Sequence, residues 1–284
     1  MTLASCDSRK TAGENPFFTE WDTPHGVPPF DKILPEHFMP AFERGMSLHE
    51  AEIDAITSNK DEATFENTIL AYDNAGQMLA QTELVFGMLC AAETNDRMQA
   101  LQEQAMPLLA AHRDKIRLDD KLFVRVKEVY DRRAALGLDA EQMRLLQKTY
   151  DSFVRAGALL DAEQKARLKE INGQLSLTAV KFGNNILAEN NNFVLELKSD
   201  ELDGLPAGIR DAAREKAQQM GKGDKWVFTL HKPSLIPLLT YSTRRDLREK
   251  IYKAYLNRCN NGDEYDNKQL INDFIRLRTE KAHL

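Results

Sequence analysis

Six histidines are the first residues to test for chemistry: His25, His37, His49, His112, His231 and His283. A zinc site on one helix needs two imidazoles at i and i+4, which share a face, with a glutamate between them to activate the bound water. No two of these histidines are four apart. The nearest miss is His49-Glu50-Ala51-Glu52-Ile53, with isoleucine where the second imidazole must stand. His37 and His49 fall on one expected helix but roughly 18 Å apart at 1.5 Å per residue, too far to share an ion. The six are therefore expected to be solvated or capping histidines, and no metal ligand or cofactor site is assigned in this chain. There is no Gly-x-Ser-x-Gly elbow, P-loop or Gly-x-Gly-x-x-Gly, and Gly221-Lys222-Gly223 reads as a turn. No catalytic residue is assigned.

The remaining candidates are weaker. Cys6, Cys90 and Cys259 are odd in number and show no Cys-x-x-Cys, which argues against a disulfide framework. Cys90 sits in the apolar run 84–92 and reads as a buried, inert thiol. Leu3-Ala4-Ser5-Cys6 resembles a lipobox, but only Met1 and Thr2 stand where a basic and apolar leader should precede it. Cys6 is thus a candidate lipid-attachment residue, implying a periplasmic, anchored protein; the alternative is a chance match in a disordered tail and a cytoplasmic protein. The run 243–258 carries Arg244, Arg245, Arg248, Lys250, Lys253 and Arg258 against Asp246 and Glu249. A solvated helix face is the ordinary reading; the functional one is a positive wall for a peptide carboxylate, with Arg248 as its candidate. Asp119-Asp120 and Asp200-Glu201 read as caps or dipole partners.

The elements that must position such groups are mainly helical. The chain has 284 residues, 42% hydrophobic and 29% charged, with net charge −6. The acidic balance disfavours nucleic acid and anionic membrane as partners, and no run reaches the roughly 20 apolar residues of a membrane span. Residues 1–15 read as tail. Prolines keep 16–33 irregular, with Trp21 and Phe30 pinning the segment to the domain. Pro35 opens a helix to Ser58. Thr64 caps a second, carrying Phe65, Ile69, Tyr72, Leu79 and Phe86. Thr94 or Asn95 begins a third to about Ile116, and Phe123, Val126 and Tyr130 mark a fourth. Met143, Leu146, Tyr150, Phe153, Gly157 and Leu160 define the next. Leu168 to Phe182 define another, each of the last two opened by Asp-Ala-Glu-Gln, a capping-box pattern. Segments 193–197 and 226–230 alternate as strands of one antiparallel ribbon, flanking a helix over about 207–220. Helices over 244–258 and 267–284 complete a second region, 191–284, after a helical domain of 16–190. The last helix, with its Leu270, Phe274 and Leu277 stripe, has no stop signal, which suggests truncation; the alternative is a C-terminal helix docked on the domain.

Collinear segments carry a resemblance: Asn15-Pro-Phe-Phe18, Pro28-Pro-Phe-Asp-Lys-Ile33, Thr64-Phe-Glu-Asn-Thr-Ile69, Leu108-Leu-Ala-Ala-His-Arg-Asp114, Phe153-Val-Arg-Ala-Gly-Ala158 and Leu277-Arg-Thr-Glu280. Together they resemble the N-terminal portion of the thimet-oligopeptidase family of zinc metallopeptidases, in its peptidyl-dipeptidase branch near oligopeptidase A. The resemblance implies a mainly α fold, one helical lobe of a two-lobed channel. It implies a monomer whose full-length form uses zinc to release dipeptides from the C-terminus of short unfolded peptides. The zinc-binding His-Glu-x-x-His and its downstream glutamate would lie C-terminal to the matched region, so this chain would be inactive without that missing lobe. The alternative is a non-enzymatic helical module that binds peptides or a protein. His25 stands where the family would carry an aromatic.

Overall fold

A computed structural model describes residues 14–284. The chain folds as two compact units: the first ends at Leu177 and includes Leu284, and the second is Thr178–His283.

In the first unit, short 3-10 turns at Pro16–Phe18, Pro24–Gly26 and Pro35–His37 lead into α1, Phe38–Ser58. Proline fixes φ and lacks an N–H, which suits it to the first position of such turns. The single helix expected from Thr64 to Phe86 is instead broken. A π turn, Phe65–Leu70, runs into α2, Ala71–Asp73, and α3 restarts at Gln77–Ala92. Gly76, at φ +75°, makes the break; the apolar spacing runs on across it, although Phe65 and Ile69 enter one core cluster and Leu79 and Phe86 another. Asn95 caps α4, Asp96–Arg117, by accepting the Met98 N–H. Asp119 likewise caps α5, Asp120–Asp131.

Both Asp-Ala-Glu-Gln starts form the capping box. Asp139 Oδ1 accepts the Gln142 N–H at 2.8 Å and Gln142 returns to the Asp139 N–H at 3.1 Å. Asp161 and Gln164 repeat it at 2.8 and 3.2 Å. These open α6, Ala140–Arg155, and α7, Ala162–Asn192. Gly157 and Leu160 lie beyond the end of α6, because Gly157 at φ +98° leaves the helix.

Two clusters form this unit's core. Phe38, Phe42, Phe86 and Leu109 centre one, with the Phe38 and Phe86 rings 4.9 Å apart. Ile69, Leu122, Val126, Leu146 and Phe153 centre the other. Trp21 does pin the N-terminal segment, packing partly buried against the first of these clusters, while its indole N–H donates to the Pro16 carbonyl at 2.8 Å within the segment. Phe30 does not, being 40% exposed.

In the second unit, β1, Leu195–Leu197, pairs antiparallel with β2, Trp226–Phe228, in the register Leu195 to Phe228 and Leu197 to Trp226. Between them lies α8, Ala207–Gln219. A further helix that the spacing does not predict, α9, spans Lys232–Tyr241. Its Pro233 sits in the first turn, where the lost N–H costs nothing, and the two prolines masked the pattern. Then come α10, Arg245–Leu256, and α11, Lys268–His283. Leu195, Leu197, Phe228, Leu238 and Ile251 form the core.

Candidate functional site

Among the described residues, no group of three or more His, Cys, Asp or Glu is placed to hold a metal ion. The histidines are nevertheless not all solvated or capping. His37 caps, its Nδ1 accepting the Leu34 N–H at 3.1 Å. His49 on α1 and His112 on α4 instead meet, with Nδ1 and Nε2 3.0 Å apart and ring centres 5.0 Å apart. His112 is only 5% exposed. Its other nitrogen, Nδ1, faces Glu50 Oε1 at 3.4 Å, and Glu50 pairs with Lys115 at 2.7 Å. Burial pushes both imidazoles below the usual histidine range. Zinc does not fit this set: the two nitrogens face each other, and the carboxylate sits on the far nitrogen of His112.

Spacing within one helix could not reveal a pair 63 residues apart. A signal existed, since Ala105, Leu109, His112 and Ile116 recur at 4, 3 and 4 on the buried face of α4. A histidine in such a stripe needs a partner.

Cys6 lies outside the described residues. Arg248 on α10 is half-buried and donates Nη1 to the Ser242 carbonyl. Its neighbours are engaged too: Arg244 with Asp246, Lys253 with Glu249, and Arg258 with Asn190 and over the Tyr255 ring. Cys90 is half-buried rather than buried, because α3 turns Leu84 and Met88 outward, 65% and 51% exposed. Cys259 is the buried thiol, pushed up to about 11 by desolvation and by Glu189.

The second unit carries an apolar groove of about 350 Å³ lined by Thr178, Ala179 and Phe182 of α7 and Leu270, Ile271, Phe274 and Ile275 of α11. The terminal stripe is therefore split. Leu277 is buried at 2% exposure, while Phe274 is 36% and Ile275 58% exposed.

No family model matches the chain. It is similar to dipeptidyl carboxypeptidase of Escherichia coli (strain K12), 35% identical over 271 residues that cover 95% of this chain and 40% of that protein. The Salmonella typhimurium dipeptidyl carboxypeptidase is 33% identical over the same shares. Oligopeptidase A of Escherichia coli (strain K12) is 26% identical over 92% of this chain and 39% of its own length. The chain thus spans about two-fifths of the length of the curated relatives it matches. Over nearly all of its own length it is a homologue of the dipeptidyl carboxypeptidases and oligopeptidases A of the thimet-oligopeptidase family.

Proposed function

We propose that the chain is the N-terminal, helical part of a zinc-dependent peptidyl-dipeptidase or oligopeptidase, one that removes dipeptides from the C-terminus of short unfolded peptides. The observation that carries this reading is the similarity to peptidases along 95% of the chain. On this reading, metal binding and water activation belong to the part of the relatives that this chain does not match. On this reading the chain forms a wall of the peptide channel and is inactive alone. The apolar groove of α7 and α11 supports it, since exposed contiguous apolar surface marks an interaction face. Arg248, which keeps further N–H donors beyond the one given to Ser242, is the candidate for the peptide carboxylate. The protein acts as a monomer in the periplasm, anchored through Cys6; the Leu3–Cys6 tetrapeptide is what supports that placement.

The test is to isolate the gene's product from its native host and assay dipeptide release from a short peptide with a free or an amidated C-terminus. Release that needs the free carboxylate and is lost to a zinc chelator supports the reading. No release, from a gene whose frame holds no His-Glu-x-x-His, overturns it. A second reading, a peptide- or protein-binding module without chemistry, is favoured by one observation, the burial of Leu277 within α11.

A further inference from the structure

We propose that His49 and His112 form an acid-sensitive latch that ties α1 to α4 and seats the turn entering α3.

The neighbouring carboxylate favours one arrangement of the protons. A neutral imidazole has one donor and one acceptor nitrogen, and an ionised carboxylate only accepts. Glu50 Oε1 lies 3.4 Å from His112 Nδ1 without forming a hydrogen bond, but its negative charge favours the proton on that nitrogen. His112 Nε2 is then an acceptor, and His49 Nδ1 donates to it across 3.0 Å. The remaining lone pair is on His49 Nε2. The contact is close to head-on, since the ring centres, 5.0 Å apart, are nearly as far separated as collinear rings would be.

The latch reaches a third element. A Cβ on Gly76 would come within 2.9 Å of His49 Nδ1, so the turn before α3 rests on that ring. The Gly76 N–H also donates to Glu52 Oε2 at 2.7 Å. The three helices share the core of Phe42 on α1, Phe86 on α3 and Leu109 on α4. The charges facing the pair are Glu50 and Glu52 of α1, Glu83 of α3, and Lys115 of α4, with Glu83 itself held by Arg113 of α4.

A first proton can enter at His49 Nε2, where it charges a half-buried ring. A second must enter at His112 Nε2, which would set two N–H donors against each other and break the contact. Burial lowers both groups in the folded chain, whereas the unfolded chain binds protons from about pH 6.5. The stabilisation is therefore full above about pH 6.5 and is lost as the pH falls through the lower, folded values.

The test is a series of urea unfolding midpoints for the full chain from about pH 8 to about pH 5, with a parallel NMR titration of its imidazoles. The midpoint of the wild type should fall below about pH 6.5, and that fall should shrink at least roughly twofold in His49→Gln and His112→Gln. The NMR signals of His49 and His112 should titrate below those of the exposed histidines. If both titrate in the ordinary range, or the fall persists undiminished in both variants, the latch is overturned. The wild-type titration decides the matter even if a variant does not fold.

Discussion

Glu189, near the end of α7, accepts the backbone N–H of Cys259 at 2.8 Å across 70 residues of sequence. Its other oxygen accepts the Asn261 amide at 2.8 Å, and the Cys259 carbonyl accepts the Asn267 N–H at the same distance. Asn185, one turn earlier, donates to the Asn267 side chain. The loop between α10 and α11 is thus tied to α7 by polar bonds, two of them fully buried, instead of by apolar packing.

The first prediction follows from that tie. Glu189→Ala leaves the Cys259 N–H and the Asn261 amide without their acceptor. A buried donor left unpaired, as the Cys259 N–H would be, costs about 1–3 kcal/mol. Urea unfolding should show a loss in that range, and Glu189→Gln, which keeps an acceptor, should lose less.

Cys259 offers a second. Its thiol is pushed up to about 11, mainly by burial, so at about pH 8 it is protonated and enclosed. A thiol-specific reagent at that pH should label Cys90 well before Cys259 in the folded chain and both at similar rates in urea. The linkage sign follows: a raised folded value contributes stability below the unfolded value near 9, lost as the pH rises towards 11. Early labelling of Cys259 would contradict the buried placement.

Two glycines separate conformational need from chance. Gly204 lies at φ +81°, and a Cβ there would meet the Tyr241 carbonyl oxygen at 2.2 Å. Gly204→Ala should cost at least about 1–3 kcal/mol from the backbone alone. Gly183, inside α7, has nothing within 4 Å of its would-be Cβ. Gly183→Ala should therefore stabilise by about 0.5–1 kcal/mol. Thermal unfolding of the two variants, measured together, should give opposite signs.

These contrasts show what the sequence made legible. Helix starts were readable wherever a side chain satisfies a local donor, as Asp139, Asp161, Asn95 and Asp119 do. The ribbon was readable because Leu195 and Leu197 alternate with Glu196, although only three residues of each strand pair. What escaped depends on left-handed backbone or on distance. Gly76 and Gly157 end helices whose apolar spacing continues past them. His49 and His112 lie on helices whose adjacency nothing in either one's spacing encodes. Glu189 is buried on α7, and its partners come from a loop that reads only as polar.

Arg248 supplies a prediction that divides two roles. It donates to the Ser242 carbonyl, just before α10, so Arg248→Ala should lose the roughly 1.5–3 kcal/mol typical of a charged hydrogen bond, discounted for its partial exposure. A purely structural residue would stop there. A residue that also meets a peptide carboxylate should, in the enzyme that contains this chain, raise KM for peptides with a free C-terminus and leave amidated peptides unaffected. Arg248→Lys should restore part of the charge effect but not the planar fork. An unchanged KM in Arg248→Ala would remove the peptide-wall role and leave the helix-start bond as the whole account.

The last prediction concerns α11, where neighbouring apolar residues have opposite fates. Ile271, Phe274 and Ile275 recur at i, i+3 and i+4 on the groove, and Ile275 is 58% exposed. Leu277, two residues on, is 2% exposed. Ile275→Ser removes little buried surface, so stability should change by no more than about 0.5 kcal/mol. It should reduce binding of an apolar dye and slow aggregation, because it breaks the exposed patch. Leu277→Ala opens a cavity and should cost about 2–5 kcal/mol. The groove is a docking face for the rest of a peptidase only if the first variant lowers dye binding in this chain and also weakens activity in the intact enzyme. Lower dye binding with unchanged activity would mean that the patch is sticky but is not the surface on which the catalytic part rests.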